Sequence, residues 1–171
     1  MTLHLFWCIS YADILNTLLV IFTAALAGIA YIQSRIFIRN NRMNFTYKVD
    51  ENFENFLNDP NNLIAKNWLL NNDPLDINNR QHYNQLQQLF DKAETINALE
   101  NRKGIDEQMF YDLLSYSIER FFIGGKTPTA NDFITEERRR AREVGITNSD
   151  DIYIGVQTLY ARIILRKSKA T

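Results

Sequence analysis

The amino-acid sequence predicts an all-α protein: a single N-terminal transmembrane helix, then a cytoplasmic helical bundle built on a long antiparallel helical hairpin. Three observations predict it. Residues 14–34 run without a single charged side chain. Beyond them, apolar residues recur at three- and four-residue spacing between helix start and stop signals. No segment sustains the alternation of a strand, although 152–157 and 163–165 are short apolar runs.

The apolar run comes first. At about 1.5 Å of rise per residue it spans ~31 Å as a helix, which matches the ~30 Å hydrocarbon core of a bilayer. A secretory signal peptide would need a basic start and a short apolar core before its cleavage site. Here the first basic residue is Arg35, and the run is too long. A helix apolar all round is otherwise buried in a large core, which 171 residues do not supply. Arg35, Arg39 and Arg42 crowd its C-terminal flank, with Lys48 close behind, while the N-terminal flank holds Asp13. The positive-inside rule then makes residues 1–13 a short external N-terminus and 14–34 the span. Residues 35–45 follow as a basic juxtamembrane linker, 46–167 as the cytoplasmic domain and 168–171 as a disordered tail. The expected location is the inner (cytoplasmic) membrane. Phe6, Trp7 and Tyr11 suit the interfacial aromatic belt. Thr23, Ala24, Ala27 and Gly28 form a stripe of small residues of the kind that lets two helices approach closely, although small residues are common in such helices anyway.

Charge and cysteine content narrow the function. All 19 basic residues lie on the expected inner side, and of the 20 acidic residues only Asp13 does not, which leaves 19 against 19. A near-neutral domain argues against a general nucleic-acid binder. The one cysteine, Cys8, precedes the span, so no intramolecular disulfide and no cysteine metal site is possible.

The soluble elements follow in order. The chain is expected to leave the membrane still helical to about residue 43, and 46–57 reads as a short amphipathic helix with Tyr47, Phe53 and Phe56. Asp59-Pro60 is a helix start, with Asp as N-cap and Pro in the first turn. Asp73-Pro74 repeats that signal. The strongest soluble helix spans about 78–102, with Tyr83, Leu86, Phe90 and Ala93 stepping by three and four. Gly104 supplies its stop, and Asp106 caps a partner helix over 107–123 to complete the hairpin. Gly124-Gly125 ends that helix. Thr129 or Asn131 opens the next, which runs to Gly145, and Ser149 caps a last helix over 150–167.

The stretch YNQLQQLFDKAETINALENRKGIDEQMFYDLLSYSIERFF resembles the central hairpin of the bacterial membrane-anchored family called domain of unknown function 4760. There too a long helix with an acidic residue, here Glu94, leads through a Gly-containing turn to an aromatic-rich helix. The C-terminal IYIGVQTLYARI is similar to the family's last helix. The resemblance covers roughly residues 40–165 and rests on patterns of apolar residues. It implies a fold and a membrane location, and no activity.

Chemical motifs are sparse. His4 and His82 fall on opposite sides of the expected membrane, which removes histidine-pair metal sites and disfavours a histidine triad. Gly124-Gly125-Lys126-Thr127 ends like a phosphate loop, but Arg120 stands where the leading glycine belongs and a helix precedes it rather than a strand. Arg138, Arg139, Arg140 and Arg142 make the densest basic cluster, suited to lipid headgroups or a partner. The competing reading is a solvated face, because Glu136 and Glu143 stand at helical spacing from Arg140 and Arg139. Glu94 and Glu119 are the best candidates for partly buried acids, with Arg120 a natural counterion; no second acid at fixed spacing specifies general acid–base work. No cofactor is expected. The leading expectation is a non-enzymatic, membrane-anchored interaction or regulatory module that binds a protein partner or itself. One alternative is a self-associating effector of toxin-like or phage-defence type that perturbs the bilayer. Another is a hydrolase using Glu94 and Glu119.

Overall fold

A computed structural model describes residues 11–170, and over them the chain is all-helical, with no strand. Phe6 and Trp7, expected at the membrane interface, lie with His4 and Cys8 outside the described residues. The α-helices are α1 Tyr11–Asn58, α2 Leu63–Asn71, α3 Arg80–Asn101, α4 Glu107–Leu113, α5 Ser115–Phe122, α6 Ala130–Glu143 and α7 Ile154–Ala170. Short 3-10 turns, Pro60–Asn62 and Ser149–Asp151, lead into α2 and precede α7. The chain divides into two compact units, one reaching to Asn41 and one from Arg42 to Thr171.

The first unit is a stretch of one helix. From Asp13 to Asn41 every residue is exposed, Leu19, Val20, Ile21 and Phe22 included. Its 18-residue apolar window is long enough to cross a membrane and has nothing buried inside the fold. The residues expected to form a linker and a separate short helix, 35–57, continue α1 unbroken to Asn58. The sequence explains this: no Pro or Gly falls between Gly28 and Pro60.

The second unit has a single aromatic-rich core. Trp68 of α2, Phe90 of α3, Phe121 of α5 and Phe133 of α6 are all fully buried. Phe90 meets Phe121 edge to face at 5.0 Å between ring centres, and Trp68 meets Phe121 at 6.1 Å, both in T-shaped geometry. The Trp68 indole donates to the Pro128 carbonyl at 2.9 Å, so its polar atom is satisfied at depth. The main helix packings are α3 on α7, α2 on α3 and α5 on α7. The end of α1 joins this unit through Phe53 and Leu57, and through Thr46, whose hydroxyl accepts from the Asp106 N–H at 2.8 Å.

Most helix ends follow local chemistry. Asp59 accepts from the Asn61 N–H, Asp106 from that of Met109, and Thr129 forms a reciprocal capping box with Asp132. Gly145, at φ 81°, closes α6: its N–H reaches Arg142, and that of Ile146 reaches Ala141. Four expectations are corrected. Asp73-Pro74 starts no helix, because Leu75 N–H is bonded to the Thr127 carbonyl at 2.7 Å and Asn79 caps α3 instead. The end of α3 places Lys103, not Gly104, in the left-handed position. The helix expected over 107–123 is split at Leu114. Finally, α7 begins at Ile154 rather than 150 and continues to Ala170, through most of the tail expected to be disordered.

Candidate functional site

The stripe on α1 is open. Thr23, Ala24, Ala27 and Gly28 are all exposed, and a Cβ on Gly28 would meet nothing within 4 Å. Thr23 turns its hydroxyl back to the Leu19 carbonyl at 2.7 Å, so its polar atom is satisfied within the helix and suits an apolar surround. Arg35, Arg39 and Arg42 are exposed at steps of four and three, on one face of the helix. Arg35 lies over the Tyr31 ring at 5.7 Å.

The α6 arginines are committed within the fold. Arg138 donates from Nε and Nη2 to the Ile152 carbonyl at 3.0 and 2.9 Å, and from Nη2 to Gln157 Oε1 at 3.1 Å. It thereby holds the turn that feeds α7. Arg140 pairs with Glu136 at 2.7 Å and lies 4.0 Å over the Tyr83 ring. Arg139 joins Glu136 and Glu143, and Arg142 joins Asp150 at 2.7 Å. The two arginine partners hold Glu136 down at a pKa of about 2. Of the four, Arg139 and Arg142 keep more than half of their side chains exposed, so a headgroup or partner contact would fall to these two.

Glu94 and Glu119 do not share a site. Glu94 reaches the start of α7, where Oε2 accepts from the Val156 N–H at 2.8 Å. Glu119 is buried and meets Lys167 near the other end of α7, at 2.6 and 2.7 Å from its two oxygens. Eleven residues of helix put these contacts roughly 16 Å apart. Arg120, the expected counterion, instead donates to the Leu70 carbonyl at the end of α2.

Sequence reading missed the cap that Glu94 provides. The α7 start lacks an Asp, Ser or Thr beside it, and a carboxylate from α3 satisfies one of its free N–H groups. Tyr153, in the left-handed region at φ 57°, turns the chain into α7. Its hydroxyl donates to Asp91 Oδ1 at 2.8 Å, and its ring packs on Phe90 at 5.2 Å between centres. Burial, and then the bond to Asp91, raise the Tyr153 pKa well above its ordinary value. The one local signal was Gly155, a poor helix former inside the first turn.

The remaining motifs are structural. Lys126 is 3% exposed, and its ammonium donates to Asn72 Oδ1 at 2.7 Å and the Ile123 carbonyl at 2.6 Å, 5.6 Å from the Trp68 ring centre. It is thus turned into the fold, not toward a phosphate. Burial, with Arg120 nearby, lowers its pKa to about 8. His82 accepts from the Asp76 N–H at 3.3 Å and braces the loop before α3. No family model, no curated protein and no solved structure matches this chain.

Proposed function

We propose that this chain is a membrane-anchored helical module. The apolar stretch of α1 would cross the inner membrane with the N-terminus outside, and residues from about 42 onward would work in the cytoplasm. The observation that carries the reading is the unbroken exposure of α1 from Asp13 to Asn41. Some 20 apolar residues in water are strongly unfavourable, and lipid relieves that cost without a partner fold. The arginines at 35, 39 and 42 support the orientation. Within the helical unit, α3 and the α4–α5 arm are read as an antiparallel hairpin about the turn at Gly104, supported by the Phe90–Phe121 contact.

The module is non-enzymatic and holds a protein partner, or a second copy of itself, at the bilayer. Support for this part is the commitment of the conspicuous polar groups to structure: Glu94, Glu119, Lys126 and Arg138 all hold elements in place. The open stripe on α1 supports self-association as the second reading, including an effector that perturbs the bilayer. The deciding experiment is a stoichiometric pull-down from gently solubilised native membranes, with mass measurement of the complex. A near-equimolar second protein establishes an anchoring subunit. A homo-oligomer broken by Ala24→Leu with Gly28→Leu establishes the self-assembling form, and a lone monomer removes both.

A further inference from the structure

The outer face of α7 carries an apolar seam that the described residues leave uncovered. Ile154, Thr158, Ala161 and Leu165 are all exposed, and exposed Ile164 borders them. Steps of four, three and four keep these four within about 60° of arc, the narrow spacing of a coiled-coil seam. None is charged. Thr158 turns its hydroxyl to the Ile154 carbonyl at 2.8 Å, so it offers the seam a methyl and no unpaired donor. The polar residues on either flank are engaged inward, Gln157 with Arg138, and Arg162 with Glu100 and Asn97.

The seam has the same shape read from either end. Ile154 and Leu165 are large and close it, while Thr158 and Ala161 are small and lie between them at mirror-image spacing. A second copy laid along it in either direction sets large against large and small against small, and the small centre lets the two helices approach. Charge chooses the direction. Before the start of α7 stand Asp150 and Asp151, with Arg142 paired to Asp150. Its end carries Arg166, Lys167 and Lys169, of which the first two meet Glu107 and Glu119. One end is thus net acidic and the other net basic. Antiparallel pairing places acid beside base at both ends, and parallel pairing places like beside like. The helix dipoles favour the same direction.

We propose that a second copy of this chain docks on α7 in antiparallel fashion, with Ile154 over the partner's Leu165 and Thr158 over the partner's Ala161. The seam is about 16 Å long, short for a stable dimer in free solution. Two chains held in one bilayer meet at a far higher effective concentration, so the inference rests on the anchored, self-associating reading above. It adds to the stripe on α1 a second contact, within the helical unit.

The test is cross-linking of the full chain with a short bis-maleimide in unsolubilised cell lysate, in a Cys8→Ser background, with membrane and soluble fractions separated afterwards. Chains carrying Ile154→Cys and Leu165→Cys, differently tagged and made together, should give a mixed dimer. Neither alone should give its own, because two copies of one position stand about 16 Å apart along an antiparallel pair. Ala161→Arg in both chains puts charge at the closest approach and should weaken the product about tenfold or more. The proposal is overturned if the mixed product is absent, or if a different protein is captured in its place. It is equally overturned by a matching product from Ile154→Cys alone, which marks a parallel pair, or from Thr95→Cys on the exposed face of α3, which marks random collision. An undiminished product with Ala161→Arg also overturns it. Absence of the product from chain in the membrane fraction removes this surface and leaves the anchoring reading standing, whereas chain found in the soluble fraction counts against the anchoring itself.

Discussion

Gly155 shows how one residue carries a long-range contact. A Cβ there would stand 2.1 Å from Glu94 Oε1 and 2.3 Å from Asn97 Nδ2. Glu94 holds the Val156 N–H and Asn97 accepts from Arg162 at 2.9 Å, so retreat of either gives up a bond between α3 and α7. Gly155→Ala should therefore destabilise the fold by about 1–2 kcal/mol, the scale of a lost helix cap, despite Ala's better helix propensity. Urea unfolding followed by far-UV circular dichroism measures this, and an unchanged midpoint contradicts it. Lys126 gives a pH signature of known sign. Its ordinary value is 10.5 and the fold lowers it to about 8, so in that window the unfolded chain binds more protons. Stability should rise from pH 8 toward 10, then meet the opposing Tyr153, whose raised pKa costs stability above its ordinary 10. Trp68 fluorescence during denaturation at each pH reads the rise, and Lys126→Met should abolish it. At this scale the caps Asp59, Asp106 and Thr129 were legible, because each partner lies within three residues. Glu94 and Tyr153 were not: their partners are 62 residues away, and no periodicity carries that information.

Among the elements, α6 separates structural from solvated charge on one helix. Arg138→Ala should cost about 1–3 kcal/mol, because it leaves the Ile152 carbonyl and Gln157 without their donor and frees the turn into α7. Arg139→Ala should cost far less, since its ion pairs are made by an exposed guanidinium that water screens. Thermal melts of the two variants side by side check the contrast; equal losses would refute the assignment. From sequence the four arginines read as one cluster, because spacing gives the face a residue occupies and not what lies opposite it. Helix existence was legible wherever apolar steps of three and four were long, as in α3. Boundaries were less so. Asp73-Pro74 carries the same local signal as Asp59-Pro60, but the Leu75–Thr127 bond ties the chain to the loop before α6, and no helix forms there. The α1 continuation past residue 45 was readable in principle from the absence of Pro and Gly. The predicted break followed the change from apolar to mixed composition, which is a change of surroundings and not of backbone.

On the scale of the whole molecule, the chain changes from an uncharged run to a mixed composition along α1. The uncharged run of α1 contributes nothing to the aromatic core, and the helical unit from Arg42 on has a core of its own. The change of composition is legible because solvent preference averages over many residues and needs no knowledge of partners. An open cavity lined by residues of α3, α6 and the turn before α7 was not legible, since its parts are distant in sequence. In the function proposed above, α1 spans a bilayer with its N-terminus outside. That topology is tested most directly by labelling intact cells with a membrane-impermeant maleimide, because Cys8 is the only cysteine in the chain. Cys8 is expected to label in intact cells, whereas Cys8→Ser combined with Ser168→Cys is expected to label only after lysis. Labelling of the Ser168→Cys chain in intact cells, or failure of Cys8 to label until lysis, would contradict it.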